Sequence, residues 1–218
     1  MLSHLLKLTL VTYRQATPID QYLKFIETCA KAGVTFVQLR EKSDVPDDFL
    51  LGFGRDLKAL LSSYGIPLIV NDRVDIACQI DAAGVHIGQR DSHALIARSM
   101  LGDDKWIGLS VDAIEHVRQA QRLPIDYLGA TIFPSQSKKD IEKLWGLEGL
   151  KKITQISQKP IVGIGGMNTT NTDVVMQEGA AGIAVIGAIH RAIDPVGVIQ
   201  CLRAATEKTD QNRLTMRG

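Results

Sequence analysis

The chain has 218 residues, 45% of them apolar and 22% charged, a balance that excludes a disordered or fibrous polypeptide and is enough to bury one sizeable core. With 25 Lys plus Arg against 24 Asp plus Glu, the net charge is +1. No global field draws the protein to nucleic acid or membrane, so any anion site must be local.

The opening run, residues 2–11, is too short to span a bilayer, contains His4, Lys7 and Thr9, and lacks the basic start and small-residue cleavage site of a signal peptide. It reads as a first strand. Beyond it, short β-branched runs alternate with longer segments of helical periodicity, the pattern of βαβ units and a parallel sheet. Strands are predicted at 6–12, 35–40, 68–70, 84–87, 106–109, 127–130, 161–163 and 182–186. Helices are predicted at 19–32, 47–63, 73–81, 92–101, 112–122, 146–158, 170–178 and 195–207, each following one strand. Four helices give way to a strand through glycine, at Gly33, Gly65, Gly84 and within 178–182, where a left-handed backbone ends a helix without steric cost.

Eight such units imply an α/β fold, a single (βα)8 TIM barrel of eight parallel strands over residues 1–208. The polar tail, 209–218, lacks periodicity and is expected to be disordered. The polar interruption at 131–145 is expected to be a mobile loop above the barrel. Cys29, Cys78 and Cys201 fall in predicted helices with neither metal-ligand spacing nor a disulfide framework, which fits a reduced, cytoplasmic compartment.

Barrels of this kind build their active sites at the carboxyl ends of the strands, and here those ends are polar. The second strand ends Gln38, Leu39, Arg40, Glu41, Lys42, and alternation sends Gln38, Arg40 and Lys42 to one side as a donor and two cations for an anion. The plainer reading is a surface ion pair between Arg40 and Glu41. The third strand runs into Asn71 and Asp72, and the fourth ends His86, Ile87, Gly88, Gln89, Arg90, Asp91. Two carboxylates beyond adjacent strands suit Mg²⁺, although either alone reads as a helix N-cap.

His86 reads as structural, holding a loop by a hydrogen bond, while His93, His116 and His190 read as surface residues. Ser110 either caps a helix or touches a ligand. Ser135, Gln136, Ser137 and Lys138 belong to the long loop, which can close over a polar ligand. Glycines follow the seventh and eighth strands, at Gly165 and Gly166 and at Gly187 after Ile186, where many such barrels bind phosphate through backbone N–H groups.

Taken in order, these motifs resemble thiamine phosphate synthase over roughly residues 6–205. The resemblance implies an enzyme that couples a hydroxymethylpyrimidine diphosphate to a thiazole phosphate, releasing pyrophosphate, and carbon dioxide when the thiazole is carboxylated. Gln38, Arg40, Lys42, Asn71 and Lys138 would bind the diphosphate substrate, with Arg40, Lys42 and Lys138 catalytic. Asp72 and Asp91 would hold Mg²⁺, and Ser110 would contact the pyrimidine. Ser135, Gln136, Ser137, Gly165, Gly166 and the Ile186–Gly187 backbone would bind the thiazole phosphate, while Leu39 and Glu41 belong to the substrate-binding motif around Arg40. The implied partners are these two small molecules, with a homo-oligomer left open.

Three departures mark the chain. The loop before Lys138 is one residue shorter than the family pattern, Gly187 stands where serine is common, and Tyr13 stands where an acidic residue is frequent. Rival readings are a thiazole tautomerase of the sister branch, a non-catalytic binder of thiazole or thiamine phosphate, and a sugar-phosphate isomerase. The first and last would not need the diphosphate and metal set.

Overall fold

In a computed structural model, which describes residues 2–91, 93–134 and 144–215, eight short strands close into a parallel barrel in simple chain order. They are β1 (Leu8–Val11), β2 (Phe36–Leu39), β3 (Leu68–Asn71), β4 (Gly84–Ile87), β5 (Trp106–Val111), β6 (Tyr127–Thr131), β7 (Ile161–Ile164) and β8 (Gly182–Val185). β8 returns to β1, with Leu8 opposite Ile183 and Leu10 opposite Val185, so the sheet has no open edge. The surrounding helices are α1 (Leu2–Leu5), α2 (Ile19–Ala32), α3 (Asp47–Ser62), α4 (Val74–Gln79), α5 (Ala94–Leu101), α6 (Ile114–Ala120), α7 (Gly146–Ile156), α8 (Thr172–Gln177), α9 (Gly187–His190) and α10 (Pro195–Thr215). The expected (βα)8 barrel is what the chain forms.

Alternation divides each strand between two environments. On β2, Val37 and Leu39 pack outward against the helices, while Phe36 and Gln38 face the barrel axis. The axis itself changes character along its length. Leu6, Phe36, Ile69, Tyr127 and Val162 make an apolar floor, and Gln38, Asn71, His86 and Ser110 line the cavity above it. This gradient places polar chemistry at the carboxyl ends of the strands.

Several elements differ from the sequence reading. Residues 2–5 form α1 rather than strand, with Leu2 and Leu5 packed on the barrel floor. The short helix α9 follows β8, where a loop is expected. Helix α10 continues to Thr215, past the predicted end at 207, over a segment in which Lys208, Gln211, Arg213 and Leu214 are good helix formers. Gly33, Gly65 and Gly179 end helices at positive φ, as expected. Gly84 does not: a Cβ there would lie 1.9 Å from the Trp106 carbonyl oxygen, so this glycine serves close strand approach. Cys29, Cys78 and Cys201 lie on helices and are unbridged, and among the described residues no helix is long and apolar enough to cross a membrane.

Candidate active site at the barrel mouth

The end of β2 is fixed before any ligand arrives. The buried Thr12 hydroxyl accepts from the Arg40 amide at 2.8 Å and donates to the Arg40 carbonyl at 3.0 Å. Arg40 is thereby held with its side chain in the cavity lining, beside Gln38. Burial lowers its pKa from the ordinary value, while Asp72 and Tyr13 act in the opposite sense. Lys42 is exposed at the rim, and its charge reaches Asp72. Leu39 points into the outer core, which leaves only its backbone for a ligand.

Glu41 has a different task from its neighbours. Its carboxylate accepts from Arg14 Nε at 3.1 Å and from the amides of Lys42 and Ser43 at 3.0 and 3.1 Å. The Arg14 and Glu41 side chains are only 10% and 5% exposed, so this is an interior pair rather than the surface pair with Arg40 that the sequence allows. Glu41 therefore shapes the turn that carries Lys42.

Neither Asp72 nor Asp91 caps a helix by its side chain. Arg73 occupies the N-cap of α4 without a side-chain bond, and His93 caps α5 by accepting from the Leu95 amide. Asp91 instead accepts from the Gly88 amide at 2.6 Å, closing its own turn. Asp72 adopts a left-handed backbone, φ 63°, held by its amide donating to the His86 carbonyl at 2.8 Å. Such a conformation costs a non-glycine residue on the order of 1–3 kcal/mol and concentrates at functional sites. The Asp72 carboxyl lies within hydrogen-bonding reach of Asp91, and burial followed by that neighbour raises its pKa to about 6. Among the described residues no group of three or more His, Cys, Asp and Glu side chains could enclose a metal.

His86 lies on β4, as expected, but its ring faces the barrel axis and bonds to side chains of neighbouring strands instead of holding a loop. Its ring shares hydrogen bonds with the Tyr127 hydroxyl at 3.0 Å and with Ser110 Oγ at 2.9 Å. Room for the ring comes from two inward glycines, since a Cβ at Gly108 would stand 2.4 Å from His86 Nδ1 and one at Gly129 2.8 Å from Cε1. Ser110 thus faces the cavity, and α6 has Ala113 at its N-cap. Burial pushes the Tyr127 phenol above its ordinary value, which keeps it neutral. Tyr127 stands two residues before Gly129 on β6, so alternation puts both on the inward face.

On the opposite side, Gly165 and Gly166 follow β7 at φ 83° and 60°. A Cβ at Gly165 would meet the Phe133 carbonyl oxygen at 2.7 Å, and one at Gly166 the Pro134 oxygen at 2.8 Å. The glycine pair therefore packs on the start of the long loop. The Gly166 carbonyl accepts from Asn171 Nδ2 at 2.9 Å and Asn168 Nδ2 at 3.2 Å. Ser135, Gln136, Ser137 and Lys138 lie outside the described residues. The ends of their loop are joined, with the Trp145 amide donating to Thr131 O at 3.0 Å and its indole to Val111 O at 2.9 Å.

Ile186 and Gly187 form the corner between β8 and α9, and Ile186 also lines the central cavity. That corner is braced by His190, which is not the surface residue the sequence suggests. His190 stacks on Tyr22 at 5.9 Å between centroids, and the two share a 2.8 Å hydrogen bond. His190 Nδ1 donates to the Ile186 carbonyl at 2.8 Å, since a carbonyl can only accept, and Nε2 then accepts from Tyr22. Burial lowers the His190 pKa and favours this neutral form.

Several known proteins are similar to the chain in sequence and fold. A family model described as thiamine monophosphate synthase matches residues 8–189. The thiamine-phosphate synthase of Chlamydia abortus is 44% identical over 203 residues, covering 93% of this chain and 95% of that protein. The protein of the same name from Clostridium botulinum is 46% identical over 184 residues, covering 84% and 89%. The solved thiamine phosphate pyrophosphorylase from Pyrococcus furiosus superposes with a TM-score of 0.87 at 33% identity, covering 96% of this chain and 99% of the other. A 3-hexulose-6-phosphate synthase from Salmonella typhimurium, at 15% identity and a TM-score of 0.70, shares the fold alone. The chain belongs to the thiamine monophosphate synthase family.

Proposed function

We propose that the chain is a thiamine-phosphate synthase that joins 4-amino-2-methyl-5-(diphosphooxymethyl)pyrimidine to a thiazole phosphate, giving thiamine phosphate and pyrophosphate, and carbon dioxide from a carboxylated thiazole. The observation that carries this reading is one mouth where Gln38, Arg40, Asn71 and Ser110 line a common cavity, with paired carboxylates after β3 and β4. Ile164 and Ile186, next to Gly165 and Gly187 at the ends of β7 and β8, line the same cavity.

Asp72 and Asp91 suit Mg²⁺ by their chemistry. They are hard oxygen donors placed side by side, and the partial burial of Asp72 beside a second carboxylate disfavours its ionised form without a cation. Two carboxylates leave the remaining positions to water and substrate phosphate, the usual arrangement for this ion. Bound there, Mg²⁺ would neutralise diphosphate charge as pyrophosphate departs.

The protein's own residues then act by placement and charge. Arg40, Lys42 and Lys138 hold the diphosphate and stabilise the charge that develops when its bond to the methylene carbon breaks and the electron pair leaves with pyrophosphate. Ser110, oriented by His86, and Gln38 hold the aminopyrimidine, whose electron-rich ring supports the positive carbon. Gly165, Gly166, Ile186 and Gly187, with Ser135, Gln136 and Ser137, hold the thiazole phosphate so that its ring nitrogen supplies the electron pair of the new C–N bond.

Asp72→Ala tests the metal assignment. It is expected to lower Mg²⁺-dependent pyrophosphate release at least ~100-fold while circular dichroism shows the folded barrel intact. Unchanged turnover would remove Asp72 from the metal site.

A further inference from the structure

We infer that Arg191 is a further binding residue for the monophosphate of the thiazole substrate, its guanidinium occupying the space that Gly187 leaves open at the end of β8. The inference rests on the coupling reaction proposed above. A Cβ at Gly187 would stand 2.2, 2.5 and 2.7 Å from Nη2, Cζ and Nη1 of Arg191. The guanidinium therefore lies directly against the backbone of a residue assigned to phosphate. No side chain beyond hydrogen fits at position 187 while Arg191 keeps this place.

The local fold explains the contact. The Arg191 amide donates to the Gly187 carbonyl at 3.1 Å, so the two residues are one helical turn apart and share a face. Long side chains on such a turn lean back toward its start, which brings the guanidinium over Gly187. Arg191 also lines a surface groove with Thr169, which follows the β7 glycines, so it stands where the two phosphate loops meet.

The charge is available to a ligand. Asp194 borders the same groove, yet its carboxylate accepts from the Gly197 amide at 3.0 Å, and no ion pair to Arg191 exists among the described residues. An exposed guanidinium of this kind grips phosphate through two parallel N–H···O bonds, where a serine hydroxyl at position 187 would supply one.

The test compares wild type, Arg191→Gln and Arg191→Lys in coupling assays with the thiazole phosphate and with the corresponding thiazole alcohol. Arg191→Gln should raise KM for the thiazole phosphate by about tenfold or more, leaving KM for the pyrimidine diphosphate and the rate with the alcohol unchanged. Arg191→Lys should restore part of the loss. If wild type turns over and Arg191→Gln leaves the thiazole phosphate KM unchanged, or weakens the alcohol equally, the role of Arg191 is overturned and the coupling reaction stands. If wild type forms no product from either thiazole, the coupling reaction falls, and the role of Arg191 with it.

Discussion

Asp72 concentrates three unfavourable features at one residue: a left-handed backbone, partial burial and a neighbouring carboxylate. Its pKa is raised from 3.8 to about 6, so the folded protein binds the proton more tightly than the unfolded chain does. By linkage, stability falls as pH rises where the native state holds more protons. In metal-free protein, the contribution of Asp72 is therefore present below about pH 4 and lost by about pH 6. Asp72→Asn is expected to flatten that part of a Tm-against-pH profile recorded with chelator. A slope identical to wild type would place the titration elsewhere. None of the strain at Asp72 is legible in the sequence, because only glycine announces a positive φ by its identity. The residue types around it are legible, since Gln38, Arg40, Asn71 and Asp72 close their strands in order. Glu41 and His190 are not, because their roles depend on Arg14 and Tyr22, distant in sequence and brought close only by the fold.

At the scale of elements, the β7 loop and the start of the long loop form one packed unit. Gly165 and Gly166 fit against Phe133 and Pro134 only because neither carries a Cβ, and both adopt positive φ. Gly166→Ala combines backbone strain with a contact to a carbonyl oxygen. It should cost roughly 1–3 kcal/mol in denaturant unfolding and raise KM for the thiazole phosphate. A variant with wild-type stability and KM would show that the loop tolerates the extra atom. The strands themselves were readable to within about two residues, because β-branched runs bounded by polar residues signal a buried parallel strand. Helices α1 and α9, at four residues each, span barely one turn and carry no periodicity to detect. The inward positions of Gly108 and Gly129 acquire meaning only when His86 is seen to fill them.

For the whole molecule, closure of β8 onto β1 converts eight separate strand ends into one rim. The second to fourth strands bring cations and carboxylates to one arc of that rim, and the seventh and eighth bring glycine loops to another. An isomerase acting on one phosphorylated molecule has no need of both arcs, whereas a coupling enzyme must hold two anionic substrates at once. The decisive measurement supplies the purified protein with the pyrimidine diphosphate, the thiazole phosphate and Mg²⁺ and quantifies thiamine phosphate and pyrophosphate. Both products are expected in equal amounts, and neither when one substrate is omitted. Absence of thiamine phosphate with both substrates present would rule out the coupling reaction.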